Sequence, residues 1–271
     1  MQTRICRQED TETVRKLWND RFEDGTPGFA DFLFSSLKNE DIYVAEDEGK
    51  VSAMLISMAT LEYGNRKGFY LYSACTARGH ENKGLMHRLV SFALEEERKK
   101  GRDFCVLVPG EESLYDFYAG LGFETVTYLR RAEIEIPKNI WQNADFDITT
   151  AGRFRQVRSR FTSEDIVHYS RADYRKYAQY LYSFGGSTAE SSNAFAVYYE
   201  EGDTLIVKEM CALNTQYAMK LLQAIRERTG KERAVIYLDD DSELFLGEGK
   251  KIKYAMVYGL SKQPYVNLMF E

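Results

Sequence analysis

LYSACTARGHENKGLMHRLVSFALEEERKKG, residues 71–101, is the stretch on which the fold turns. Extended back to Phe69, it opens with an aromatic and aliphatic run without charge, Phe69 to Thr76, whose composition predicts a buried strand. Apolar residues then recur in pairs at helical spacing, Leu85/Met86, Leu89/Val90 and Ala93/Leu94, so an amphipathic helix follows. Lys99 and Lys100 suit its last turn and Gly101 its left-handed stop. Between the two lies a polar turn, Ala77 to Gly84, with Gly79 and Gly84 as its flexible points. A helix that starts directly after a strand presents unpaired N–H groups and its positive dipole end, which favours a phosphate. The turn contains neither GxxxxGK[ST] nor GxGxxG, the two common phosphate loops.

Glu81-Asn82-Lys83-Gly84-Leu85-Met86 resembles motif A, [QR]-x-x-G-x-[GA], of the GCN5-related N-acetyltransferases (GNAT). Gly84 takes the glycine position and Lys83 supplies a cation; Glu81 replaces the usual Gln or Arg, and Met86 the small residue. Further on, Tyr118-Ala119-Gly120-Leu121-Gly122-Phe123 resembles the end of the family's motif B, Tyr-x-x-x-Gly-Phe. The resemblance implies a mixed α/β fold, with a mostly antiparallel sheet flanked by helices. It implies acetyl-CoA as co-substrate, its pyrophosphate cradled by Glu81, Asn82, Lys83, Gly84, Leu85 and Met86. The backbone of Ala74, Cys75 and Thr76 would pair with the pantetheine arm, and Tyr118 would be the general acid. In the enhanced-intracellular-survival-like branch the chain's own terminal carboxylate is the base, which points to Glu271; Glu62 and water are the alternatives. No metal is implied.

In chain order the sequence predicts a strand at Arg4–Cys6, helices at Thr11–Phe22 and Phe29–Leu37, and a hairpin of Asp41–Glu46 and Val51–Glu62 around Asp47-Glu48-Gly49-Lys50. The central unit follows, then a strand at Phe104–Val108, a helix at Glu112–Leu121 and a closing strand from Phe123 to Ile136. Pro137–Asn143 reads as a linker, so the expected domains are 1–138, carrying the acetyl-CoA site, and 139–271. The second half repeats the order of the first. It should hold helices at Phe154–Phe161 and Ser163–Phe184, a hairpin of Phe195–Tyr199 and Thr204–Ala212, and a helix at Thr215–Arg228. Strands are expected at Ala234–Leu238, Ile252–Tyr258 and Tyr265–Phe270, the last buried and returning toward the active site. Ala212-Leu213-Asn214-Thr215 passes from strand to helix without glycine or lysine, which makes the second half a degenerate GNAT-like domain.

The 271 residues include 44% apolar and 29% charged residues, enough for a packed core and against disorder. The net charge of −6 disfavours nucleic acid as a partner and suits a cationic small-molecule or peptide amine. No uncharged apolar run is long enough to span a bilayer and the N-terminus lacks an apolar leader core, so no membrane partner and a cytoplasmic location are expected. The oligomeric state is left open. Cys6, Cys75, Cys105 and Cys211 are scattered in apolar runs and read as buried thiols. His168 and the tyrosines at 169, 174, 177, 180 and 182 read as structural, and Asp239–Asp241 with Glu243 as a solvated acidic loop. The function expected is acetyl transfer from acetyl-CoA to a primary amine. The alternative, motivated by Glu81 beside a pyrophosphate, is a non-catalytic acyl-CoA-binding or scaffold protein.

Overall fold

The computed structural model describes residues 2–22, 28–140, 146–162 and 165–270, and all structural statements concern these. The chain forms two compact units, residues 2–124 with Met256–Ser261, and Thr125–Ala255 with Lys262–Phe270.

The first unit begins with β1 (Gln2–Ile5), α1 (Thr11–Arg21) and α2 (Phe29–Ser35), followed by β2 (Ile42–Asp47), β3 (Lys50–Tyr63) and β4 (Arg66–Thr76). Then come α3 (Leu85–Lys99), β5 (Phe104–Leu107) and α4 (Ser113–Ala119). β1 to β4 form an antiparallel series, and β5 joins β4 in parallel. Of the six α3 positions chosen by helical spacing, Leu85, Leu89, Val90 and Ala93 are buried, packed with Phe69, Leu71 and Cys105 of the strands, while Met86 and Leu94 are half-buried at the edge of that core. One turn later the same face buries Glu97. Burial pushes its carboxyl up, but the Tyr43 hydroxyl (2.5 Å), Arg102 (2.6 Å) and Lys100 (3.0 Å) outweigh this and hold it below its usual range.

The second unit contains β6 (Glu124–Glu135), α5 (Phe154–Arg158), β7 (His168–Tyr169), α6 (Arg171–Ser183), β8 (Gly186–Glu190), β9 (Ala194–Glu201) and β10 (Thr204–Ala212). It continues with α7 (Thr215–Thr229), β11 (Arg233–Asp239) and β12 (Gly249–Tyr258). β8, β9 and β10 are antiparallel, and β11 joins β10 in parallel, the arrangement that β4 and β5 show in the first unit. α7 is capped by the Asn214 side chain, which accepts from the Tyr217 amide at 3.1 Å, and ends at Gly230 (φ 73°).

Several expectations need correction. The strand from Phe123 to Ile136 was expected to close the first domain; β6 instead pairs antiparallel with β11 of the second unit. The place beside β5 is taken by Met256–Tyr258, the end of β12. Ser163–Phe184 is not one helix: α6 starts only at Arg171, capped by Ser170, and His168–Tyr169 is extended. His168 has a partner, the Tyr174 hydroxyl at 2.8 Å from Nδ1. Gly186–Glu190 forms a strand the sequence does not advertise, because GSTAE lacks large apolar residues.

The segment 265–270 is buried as expected, yet it forms no ladder beyond a single bridge between Tyr265 and Ile166. Leu268 stands at φ 59°, which breaks extended geometry. Specific bonds replace the ladder: Thr127 Oγ1 accepts from Val266 N (3.0 Å), Asn267 Nδ2 donates to Lys208 O (2.8 Å), and the Tyr169 hydroxyl donates to Leu268 O (2.9 Å). Glu271 lies outside the described residues. The tyrosines at 169, 174 and 177 are core residues, in contact with Phe154 and Phe270 at ring separations of 5.4–5.9 Å. Under them the fully buried Arg158 makes two 2.7 Å bonds to Glu209 and a third, of 3.0 Å, to the Tyr174 hydroxyl. All four cysteines are free and buried. No helix among the described residues is long and apolar enough to cross a membrane.

Candidate active site

In the first unit β4 and β5 are paired only over Gly68–Tyr70 and Phe104–Val106. Beyond Tyr70, β4 remains bonded to β3 on one side, with Cys75 opposite Met54 and Thr76 opposite Ala53, while its other edge has no β5 partner. A bulge causes the parting: between the Met54 and Ile56 pairings, Ser73 and Ala74 together face Leu55. Ser73 adopts φ 51°, a left-handed conformation that costs a non-glycine residue about 1–2 kcal/mol. It is held there from outside, by a 2.9 Å bond from the Trp18 indole N–H to its hydroxyl. Neither residue was singled out in the sequence, since serine carries no signal for this conformation. The bulge leaves the free edge of Ala74, Cys75 and Thr76 leading into the turn.

The turn itself is short and glycine-dependent. His80 N donates to Ala77 O (3.0 Å) around Gly79, and Asn82 and Gly84 both have positive φ, 61° and 75°. A Cβ built on Gly84 meets nothing within 4 Å, so the approach to the start of α3 is open. Leu85, in the next position, is buried and anchors the helix start; Met86 packs at the edge of the same core.

Glu81 is exposed, yet its side chain is bonded within the turn. One carboxylate oxygen accepts from the Gly79 amide (2.6 Å) and the other pairs with Arg21 (3.1 Å). Its own amide first, then the Gly79 amide and Arg21, hold this carboxyl below its usual range. The motif departure is thus an exposed anion that fastens the turn to α1. On the other side Asp47 Oδ2 receives Lys83 Nζ (2.9 Å) and faces His80 Nδ1 (3.1 Å). Lys83 and then His80 lower the Asp47 carboxyl, and Asp47 raises Lys83. Arg21 and Asp47 are site residues that sequence reasoning missed; no local pattern marks them, because they lie about 60 and 36 positions from their partners. These partners decide what Glu81 substitutions should do. Glu81→Gln keeps an oxygen for Gly79 N–H while removing the charge and should tighten CoA, whereas Glu81→Arg should weaken it by freeing the turn and repelling Arg21. Parallel calorimetric titrations check this; tighter binding by the Arg variant would show that the carboxylate does not support the turn.

Tyr118, on α4, packs edge-on against Phe117 and Phe123 at 5.1 and 5.7 Å and is 6% exposed. It belongs to the core cluster that contains Leu71, Leu85, Cys105 and Leu107. Burial raises its hydroxyl well above the usual range, with Cys105 adding to the effect, so it stays protonated at neutral pH. Among the described residues no hydrogen-bond partner meets that hydroxyl. Glu62 sits elsewhere: it pairs with Lys67, nine residues along β3 from Ala53, or about 30 Å at strand spacing.

The matching place in the second unit is built differently. β10 and β11 also part, after Val207 and Ile236, above a cleft of about 300 Å³. That cleft carries Asp239 and Glu243 with no lysine or arginine, and burial raises the Asp239 carboxyl. It offers a pyrophosphate no cation.

Residues 2–126 match the family profile described as an acetyltransferase (GNAT) domain. That likeness to GNAT acetyltransferase domains covers the first unit and a little under half of the chain. Among solved structures, a GCN5-related N-acetyltransferase from Kribbella flavida superposes with a TM-score of 0.72 at 14% identity, over 94% of this chain and 71% of its own. One from Anabaena variabilis gives 0.71 at 14% identity, over 94% and 72%. Eis1 from Mycobacterium abscessus gives 0.67 at 13%, over 95% and 73%. Identities this low speak for shared fold alone, and the coverage extends that likeness of fold over both units. No curated protein matches the sequence.

Proposed function

We propose that this protein is a GNAT acetyltransferase that transfers an acetyl group from acetyl-CoA to a primary amine of a small molecule or peptide. The observation that carries the proposal is the bulged, one-sided edge of β4 opening onto a glycine turn at the start of α3. Such an edge offers backbone groups to an amide-bearing arm, and the turn offers amides and an open approach to a pyrophosphate. Gly84, where an added Cβ would meet open space, fits that role, and Lys83, Asn82, Glu81, Leu85 and Met86 frame it. Ala74, Cys75 and Thr76 would hold the arm, and their dipoles would polarise the thioester carbonyl.

The reaction proposed is direct attack: the amine nitrogen bonds to the acetyl carbon, the C–S bond breaks, and Tyr118 gives its proton to the departing thiolate. A covalent route through Cys75 is disfavoured, because burial pushes that thiol up to about 12 and leaves it un-ionised. The terminal carboxylate of Glu271 is the proposed base, with ordered water as the alternative; the register of β3 argues against Glu62. Residues 139–271 act in this reading as a degenerate GNAT-like domain that binds no CoA, as its acidic cleft suggests. The net negative charge favours a cationic acceptor. Four free thiols suit a reducing compartment such as the cytoplasm.

The test is to titrate acetyl-CoA by calorimetry and then supply an amine panel while following thiol release. Amine-dependent release is expected. Saturable binding with no release for any amine would favour the alternative, a non-catalytic acyl-CoA binder.

A further inference from the structure

The second unit has a cleft of about 790 Å³ beside α5 and the first turns of α6. That volume is within the range of small-molecule sites, about 300–1,000 Å³. Its lining includes Arg155, Arg171 and Arg175 together with Gln156, Ser159 and Tyr174, and no acidic residue. Three guanidiniums converging on one cleft are unexpected in a chain of net charge −6. Arg171 and Arg175 stand one helical turn apart, a spacing at which like charges repel, and neither has an ion-pair or hydrogen-bond partner among the described residues. The nearby carboxylate, Asp173, is engaged by the Ser170 hydroxyl at 2.6 Å. Tyr174 is not free to bind: its hydroxyl is taken by Arg158 and His168. It serves as a rigid wall. Of the cleft's guanidiniums Arg155 is felt by His168, which burial first, then Arg158 and Arg155, lower to about 4.

We propose that this cleft binds a small molecule bearing two or more phosphate groups. Guanidinium is the side chain whose planar fork meets phosphate oxygens in pairs, and α6 contributes the positive end of a 13-residue helix beside Arg171. Gln156 and Ser159 add neutral donors to the lining. The site is separate from the turn at Gly84, and the proposal does not rest on the acetyltransferase reading.

The test uses the full chain and inorganic tripolyphosphate as probe, with the Gly84→Glu variant titrated in parallel so that any binding at the turn of the first unit is subtracted. Calorimetry at low ionic strength should show saturable one-to-one binding that weakens as salt is added. The double variant Arg171→Glu/Arg175→Glu should bind at least about tenfold more weakly, since two charge-assisted contacts are lost. Both positions are exposed, and acidic residues suit the start of a helix, so the variant should keep the melting temperature and CoA affinity of the parent. No saturable binding by the parent, or equal binding by the double variant, would overturn the proposal. Binding of a poly-glutamate peptide in preference to tripolyphosphate would overturn the phosphate assignment and mark the cleft as a docking site for an acidic segment.

Discussion

Gly84→Glu should fold and lose CoA binding. Gly84 stands at φ 75°, so any side chain there costs about 1–2 kcal/mol of backbone strain, yet its Cβ would meet no atom within 4 Å. The structure can therefore accept the substitution, and the ligand cannot. A carboxylate at the first step of α3 fills the approach to the unpaired amides and sets a negative charge against a pyrophosphate. Gly84→Ala separates the two effects, since it carries the strain without the charge. Calorimetry should give weakened but measurable binding for the Ala variant, none for the Glu variant, and melting temperatures within a few degrees of each other. If the Glu variant binds CoA as the parent does, the cofactor site is elsewhere.

The second large effect is expected at Tyr118. Its hydroxyl, raised by burial of the side chain, has no partner among the described residues and is not fully enclosed, so water or a ligand can reach it. Removing the oxygen therefore breaks no described hydrogen bond, and Tyr118→Phe should leave stability within about 1 kcal/mol of the parent. CoA affinity should be nearly unchanged. The leaving thiolate would lose its proton donor, and general acid catalysis is typically worth about 10²–10⁴-fold, so kcat should fall by that order. Because the hydroxyl is held above its ordinary value, near 10, the parent's kcat should show no alkaline limb from Tyr118 below that pH. A thiol-release assay across pH measures both. A fully active Phe variant would remove Tyr118 from the mechanism.

Much of the first unit could be read locally. Residues 69–101 declared a strand, a turn and a helix, because the periods of 2 and 3.6 and the Gly84 and Gly101 positions are written in adjacent residues. Asp47 to Lys50 declared its hairpin in the same way, and Asn214 its helix cap. The burial of the four cysteines and of the last apolar segment followed from composition alone. The motif residues Glu81 to Met86 were legible as a turn, although the purpose of Glu81 was not.

What the sequence could not show is whatever depends on a distant partner. The bulge at Ser73 exists because Trp18 reaches it across 55 positions; nothing beside Ser73 asks for a left-handed residue. Arg21 and Asp47 clamp the turn through side chains whose neighbours in sequence look like ordinary helix and strand ends. The pairing of β6 with β11, and of the end of β12 with β5, was equally hidden. Alternation tells a strand which face to bury but not which edge to join, and edges are chosen by the assembled sheet. Composition and spacing therefore determined most of the elements and the turn, and the motif residues Glu81–Met86 and Tyr118–Phe123 carried the family resemblance. Tertiary structure alone decided the open edge of β4, the anchoring of Glu81 and the gathering of Arg155, Arg171 and Arg175 at one cleft, since each requires side chains from separate elements to meet.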